Sequence, residues 1–319
     1  MRRKSIAVTG AGGFVGGHLI NHLLDAGEEV TALSRNAPAS SQPGISWRAL
    51  PDLASGDVDP SLFEGQDVVI HCAARVHIME DSAQDPLREY RAINRDGTLV
   101  LAKAAAIAGV EQFIFVSSIK VNGEETDPGR PFHPDDSPVP SDPYGISKME
   151  AENGLREIAS DTGMRIAIVR PVLVYGHGVG ANFLAISKLA ARGLPLPFKA
   201  IDNRRSLVYV GNLVDLLRKI AIGAIGERTV YLASDPRTVS IGELVLMLAQ
   251  AQNVEARLFR LPTDLMKGVA GLLGKRDAAQ RLFGSLEVDH QHLEDAGWKA
   301  PFTMEEGFSR TFASAADRP

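Results

Sequence analysis

Tyr144 and Lys148 stand four residues apart in the stretch Pro143-Tyr144-Gly145-Ile146-Ser147-Lys148, directly after a loop crowded with proline, aspartate and glycine. On a helix, residues i and i+4 share a face. An ammonium held beside a phenol stabilises the phenolate, lowers the tyrosine pKa towards neutrality and makes the residue usable as an acid or a base. Tyrosine and lysine also meet on ordinary surface helices, and the chain has five tyrosines. The pair becomes a site only if other elements point the same way.

A second stretch does so. "IAVTGAGGFVGGHLI" sets Gly10, Gly13 and Gly16 three apart between an apolar run and a helical pattern. Glycines there let the chain turn tightly and bring its backbone close to a pyrophosphate seated on the helix N-terminus. The competing reading is a glycine-rich turn without a ligand, and its place directly after a first strand favours the dinucleotide. His18 and His22 are also four apart, but they lack the glutamate of an H-E-x-x-H zinc site. His290 and His292 have no third ligand in view, so no metal is expected.

The elements that must position these residues alternate. Candidate strands are Ser5–Val8, Glu29–Leu33, Ile45–Ala49, Val68–Ala73, Phe113–Ser117, Ile166–Arg170 and Val230–Ala233, with helical patterns at Val15–Ala26, Tyr90–Ala108 and Gly145–Ser160. Continuous apolar strands such as "DVVIHCAA" and "QFIFVSS" suit a parallel sheet buried on both faces. The βα alternation predicts a doubly wound α/β fold. After Arg170 the chain reads as loop, helix and loop. Its final stretch is helical with proline and glycine interruptions, which predicts a smaller, discontinuous lobe beside the sheet.

Bulk composition narrows the class. At 319 residues, 45% hydrophobic and 23% charged, the chain is an ordinary globular protein with ample core. A net charge of −5 gives no reason to expect a nucleic-acid or anionic-membrane partner. Cys72 is the one cysteine, so no intrachain disulfide can form. The basic start "MRRKSIAVTGAGG" breaks into glycines where a signal peptide would stay apolar. The most apolar segment, "DLMKGVAGLLGKR", is too short to span a membrane and is charged at both ends. The expectation is a cytoplasmic enzyme.

Taken in order, the motifs resemble those of the extended short-chain dehydrogenase/reductase family, which includes nucleotide-sugar epimerases, dehydratases and 4-keto reductases. The resemblance runs from the loop at Thr9–Gly16 through "DVVIHCAA", "NRDGT" at Asn94–Thr98, "FVSSIKVNG" at Phe115–Gly123 and "PYGISK". It continues through "RPVLVYG" at Arg170–Gly176 and "RRSLVYV" at Arg204–Val210 to "AGW" at Ala296–Trp298, nearly the whole chain. It implies a Rossmann-type doubly wound parallel sheet over residues 1–170 plus 205–235, and a nucleotide-sugar-binding lobe over 171–204 plus 236–319. It also implies a homodimer pairing the helices at Tyr90–Ala108 and Gly145–Ser160.

The resemblance implies roles residue by residue. Tyr144 would exchange a proton with the sugar oxygen, Lys148 would bind the nicotinamide ribose, and Ser118 would hydrogen-bond the same oxygen, with Ser117 nearer the nicotinamide. Gly10, Gly13, Phe14, Val15 and Gly16 would form the cofactor loop. Asp52 and Leu53 would lie beside the adenine, and Ala73, Ala74 and Pro171 would line the remaining path. An NAD-selective member carries an acid at the end of the second strand; here Ser34 and Arg35 stand there. Ser-Arg offers a donor and a positive charge to a 2′-phosphate, so NADP is expected over NAD, against the bland reading that Arg35 merely faces solvent. Where 4,6-dehydratases carry Asp-Glu after the catalytic Thr, this chain has Ile119 and Lys120, which speaks against dehydration and decarboxylation. Asn182 and Arg205 would hold the nucleotide diphosphate, with Arg204 a less certain neighbour. Leu173 replaces an asparagine common in epimerases.

The expected activity is NADPH-dependent reduction of a UDP-4-keto-6-deoxy-hexosamine, as in bacterial O-antigen sugar synthesis. The alternative is a UDP-hexose 4-epimerase using the same Ser, Tyr and Lys. A non-catalytic dinucleotide sensor is a third reading, and the intact Ser118, Tyr144 and Lys148 argue against it.

Overall fold

The computed structural model describes residues 3–36, 43–76, 85–272 and 283–313. Seven strands form one sheet: β1 (Ser5–Thr9), β2 (Glu29–Ser34), β3 (Ile45–Ala49), β4 (Val68–His71), β5 (Gln112–Val116), β6 (Arg165–Pro171) and β9 (Val230–Ala233). Their spatial order is β3-β2-β1-β4-β5-β6-β9, and every pairing is parallel. All seven coincide, within a few residues, with the strands expected from the sequence.

Both faces are buried, and the alternation along each strand shows why. Ile6, Val8, Val68, Ile70 and Ile114 point into one core with Leu19 and Leu23 of α1 (Phe14–Asp25) and Leu213 and Leu217 of α6 (Val210–Ala221). Ala7, Val69, Phe113 and Phe115 point into the other, with Leu101 and Ala105 of α3 (Thr98–Ile107) and Leu155 and Ile158 of α4 (Pro143–Thr162). A period-2 strand buried on both sides needs apolar residues at every position.

Two features differ from the sequence expectation. The helix expected over Tyr90–Ala108 starts earlier, as α2 (Pro86–Tyr90), passes through a π-turn at Arg91–Gly97 and continues as α3. A π-turn inserts an extra residue into the helical repeat and re-aims the side chains within it, here Asn94. The stretch after Pro171, expected as loop, holds β7 (Leu173–Tyr175), which pairs with β8 (Arg205–Tyr209); β8 in turn pairs with β10 (Thr238–Val239). β7 and β10 have only three and two residues, too few to show a period in the sequence. The small sheet is joined to the rest by Asp235, whose carboxylate accepts from Tyr209 N (3.1 Å), Asn212 Nδ2 (2.7 Å) and Tyr175 Oη (3.0 Å). Helices α5 (Ala181–Ala190) and α7 (Ile241–Ala251) pack against each other beside it.

Candidate active site

In an open parallel sheet, ligands bind beyond the carboxyl ends of the strands, where the strand order reverses. The reversal here lies between β1 and β4. Gly10–Gly16 follow β1, Ser34 ends β2 with Arg35 next, and Asp52 and Leu53 follow β3. Ala73 and Ala74 follow β4, Ser117 and Ser118 follow β5, and Pro171 ends β6. The fold thus brings the expected cofactor and catalytic residues of the main sheet to one edge.

The loop after β1 fits a dinucleotide. Gly10 has φ +69°, and a Cβ there would lie 2.7 Å from Ala73 N; a Cβ on Gly16 would lie 2.2 Å from Gly10 O. Both positions therefore demand glycine. Gly13 donates its N–H to Gly10 O at 2.8 Å and caps α1 without a side-chain bond, so the first turn of the helix presents backbone donors to the loop. Phe14 and Val15 open that helix, half-buried. Ser34 Oγ lies 3.5 Å from where a Cβ on Gly12 would be, next to the loop, and Arg35 is exposed beyond it. Asp52 is exposed and caps a short 3-10 turn by accepting from Ala54 N at 3.1 Å, while Leu53 is buried against Gly97.

Beneath the loop sits His71, missed in the sequence. Its Nδ1 is 2.6 Å from Thr9 Oγ1 and its Nε2 3.0 Å from Thr98 Oγ1, and it stacks on Phe115. Burial, reinforced by the charge of Lys148, pushes its pKa down to about 3, so it is a neutral hydrogen-bonding spacer. Asn94 exchanges bonds with the backbone of Arg75 (2.8 and 3.0 Å) and donates to Ser147 Oγ at 3.2 Å, tying the exit of β4 to α4.

Tyr144 and Lys148 lie in the first turns of α4. Asp142 caps that helix by accepting from Gly145 N at 2.6 Å, and Pro143 occupies its first turn. Lys148 Nζ donates to Val116 O at 2.9 Å and lies 4.4 Å from the centre of the Phe115 ring and 6.0 Å from that of Tyr144. Burial lowers the Lys148 pKa to about 7, against smaller upward pulls from Cys72 and Glu152. Tyr144 is hydrogen-bonded to Ser118, which lowers its pKa, but burial outweighs that bond and Asp142 adds to the rise. The protein's own groups therefore hold the phenol protonated, as a proton donor. The neighbouring ammonium, expected from the sequence to lower the phenol's pKa, is outweighed by burial, and the direction is reversed.

Behind this pair lies a buried network. Ser117 Oγ donates to Glu152 Oε1 at 2.6 Å; Arg170 grips the same carboxylate through Nε (2.9 Å) and Nη2 (2.6 Å) and donates from Nη1 to Asn122 Oδ1 at 2.9 Å. The Ser117 hydroxyl is thus directed at Glu152. Glu152 and Arg170 escaped the sequence reading, although two signals were present. Glu152 continues the Tyr144, Lys148 spacing by one more turn, and an arginine ending an otherwise apolar buried strand requires a partner.

On the substrate side, Arg205 is half-buried and donates from Nη1 to Gly284 O at 2.8 Å; burial lowers its pKa, opposed by Glu125. Arg204 is exposed and engaged by Glu287 (3.0 Å) and Thr238 (2.9 Å). Asn182 falls in the first turn of α5, and its side chain lies outside the described residues. Leu173 is exposed. The histidine pairs have other partners: His18 Nε2 meets His177 O at 2.9 Å, His22 lies 3.6 Å from Asp215, and His292 accepts from Leu232 N at 3.0 Å. Among the described residues, no group of three His, Cys, Asp or Glu could hold a metal ion.

Chemically, a dinucleotide in this cradle would supply or accept hydride. Beside it the fold sets the Tyr144 phenol, hydrogen-bonded to Ser118, with the Lys148 amine 6.0 Å from the centre of its ring.

Comparison with known proteins agrees with this geometry. Residues 6–227 match the family described as NAD dependent epimerase/dehydratase. A UDP-glucose 4-epimerase of Vibrio cholerae is 42% identical over 310 residues, covering 97% of this chain and 94% of that protein. A GDP-6-deoxy-D-mannose reductase of Pseudomonas aeruginosa is 29% identical, covering 95% of this chain and 94% of the relative. The crystal structure of the Thermotoga maritima UDP-glucose 4-epimerase with UDP-glucose superposes with a TM-score of 0.74 at 23% identity, covering 96% and 97% of the two chains, and so shares the fold. The chain belongs to the NAD-dependent epimerase/dehydratase family, as an enzyme of the extended short-chain dehydrogenase/reductase type.

Proposed function

We propose that this enzyme transfers hydride between NADP(H) and C4 of a UDP-hexose, and that its net reaction is reduction of a UDP-4-keto-6-deoxy-hexosamine for surface-polysaccharide synthesis. Tyr144 protonates the C4 oxygen as hydride arrives, Ser118 orients that oxygen, and Arg205 holds the diphosphate through its guanidinium. The observation that carries the reductase reading is the end of β2. No carboxylate stands there; Ser34 lies beside Gly12 and is followed by the exposed Arg35, which suits a 2′-phosphate. A cofactor consumed at each turnover suits the NADP pool, whereas an epimerase regenerates its cofactor within each cycle.

The second reading, a UDP-hexose 4-epimerase, is favoured by the 42% identity to the Vibrio cholerae protein. One experiment separates the two. Purified protein is given NADPH with a UDP-4-keto-6-deoxy-hexosamine, and separately UDP-glucose or UDP-N-acetylglucosamine with catalytic NAD or NADP. The reductase consumes one NADPH per sugar in the first reaction and forms nothing in the second. Epimer formation without net cofactor consumption would replace it with the epimerase.

A further inference from the structure

The loop between the Ser118 turn and α4 begins and ends on one lysine. Lys120 lies two residues beyond Ser118, in the 3-10 turn Ile119–Val121, whose cap is Ser118 itself. Its Nζ donates to Glu124 Oε1 at 3.0 Å, at the start of the loop, and to the Asp142 carboxylate, at its end. Asp142 uses its other oxygen to cap α4 at Gly145 N. The seam is tight: a Cβ on Gly145 would lie 2.9 Å from Lys120 O. Lys120 therefore fastens the turn that carries Ser118 to the helix end that carries Tyr144.

The same contact has an electrostatic side. On α4, Tyr144 is flanked by Asp142, Lys148 and, two turns on, Glu152; Lys120 and Glu124 belong to the catalytic turn and its loop. From the opposite side come the Tyr90 ring, at 5.9 Å, and Arg75, stacked over Tyr90. Asp142 is the carboxylate that pulls the phenol's pKa upward, and Lys120 is the cation bound to it.

We propose that Lys120 is a positioning residue for proton transfer at Tyr144: it fixes the Ser118 turn against the N-terminus of α4 and offsets the Asp142 carboxylate beside the phenol. The catalytic part rests on the reading of Tyr144 as the acid–base group at C4.

The test replaces Lys120 by Met or Arg, and Asp142 by Asn, which keeps an oxygen to cap the helix. The Tyr144 phenol is followed by ¹⁹F NMR in holoenzyme carrying NADP+ and fluorotyrosine, whose lower intrinsic pKa brings the titration into range; Tyr144→Phe assigns the signal. Removing Lys120 leaves Asp142 unscreened, so the Tyr144 pKa rises in Lys120→Met, by about half a unit to one unit. Removing the Asp142 charge lowers it by a similar amount, and Lys120→Arg leaves it in place. With substrate, the alkaline limb of kcat follows the same two directions. In Lys120→Met kcat falls about tenfold while the cofactor Kd stays constant. Should Lys120→Met fail to fold, Lys120→Gln reads the same shift. Unchanged titration, or shifts in the same direction for Lys120→Met and Asp142→Asn, would overturn the proposal. The NMR arm needs no sugar: opposite shifts without turnover of any UDP-hexose would sink the C4 reading and keep the Lys120–Asp142 coupling.

Discussion

At the residue scale, the proposed chemistry concentrates in Tyr144, hydrogen-bonded to Ser118 and with Lys148 one turn along α4. Tyr144→Phe removes the proposed proton donor and keeps the aromatic ring, which the family resemblance also places beside the cofactor. Its kcat should fall by a factor of about a hundred to ten thousand while cofactor affinity, read by fluorescence titration, is retained. Arg35 governs a different quantity. It is exposed at the end of β2, so a charge-assisted contact to a 2′-phosphate would be worth only a few kcal/mol at most. Wild-type protein should bind NADPH about tenfold to a hundredfold more tightly than NADH, and Arg35→Ala should narrow that ratio; equal affinities in the wild type would remove the argument for NADP.

At the scale of elements, α4 joins the two halves of the site. Its first turns carry Tyr144 and Lys148, and its third carries Glu152, which sits wholly buried between Ser117 and Arg170. Glu152→Gln leaves the Arg170 guanidinium buried without its counter-charge, a loss of about 3 kcal/mol or more in chemical denaturation. A change below about 1 kcal/mol would show that the network carries no such weight. The elements themselves were largely legible. The central strands β4 and β5 announced themselves as nearly continuous apolar runs, because both of their faces are buried, whereas β3 (ISWRA) is largely uncovered and was read as a short β-rich run. The glycine loop was legible for a related reason: backbone approach at Gly10 and Gly16 excludes every other side chain. What stayed hidden depends on three-dimensional partners. The π-turn that aims Asn94 at Arg75, the short strands of the second sheet and the Glu152–Arg170 pair leave no periodic trace in one dimension. The direction of the Tyr144 shift was hidden too, since burial cannot be weighed against a neighbouring charge before the fold is known.

At the scale of the whole molecule, two buried histidines set an acid limit on stability. His71 has its pKa lowered to about 3 and His292 to about 4, chiefly by burial. Between those values and the unfolded pKa of about 6.5, the unfolded chain binds protons that the native state refuses, so stability is full above about pH 6.5 and declines as pH falls. Each should remove about 2 kcal/mol by pH 5, while the Asp235 carboxyl, raised to about 6 by burial, works in the opposite direction. Unfolding curves at pH 7 and pH 5 should therefore converge in His292→Gln relative to the wild type; an unchanged interval would mean that His292 titrates normally. The net reaction is the other property of the whole molecule. The most direct measurement of it uses NADPH carrying deuterium on the transferable C4 position of its nicotinamide, with a UDP-4-keto-6-deoxy-hexosamine as acceptor. Wild-type enzyme should place one deuterium at C4 of the sugar for each NADPH consumed, and Tyr144→Phe should lose that transfer while still binding the cofactor. Absence of deuterium from C4, with the sugar converted and the NADPH intact, would contradict the account.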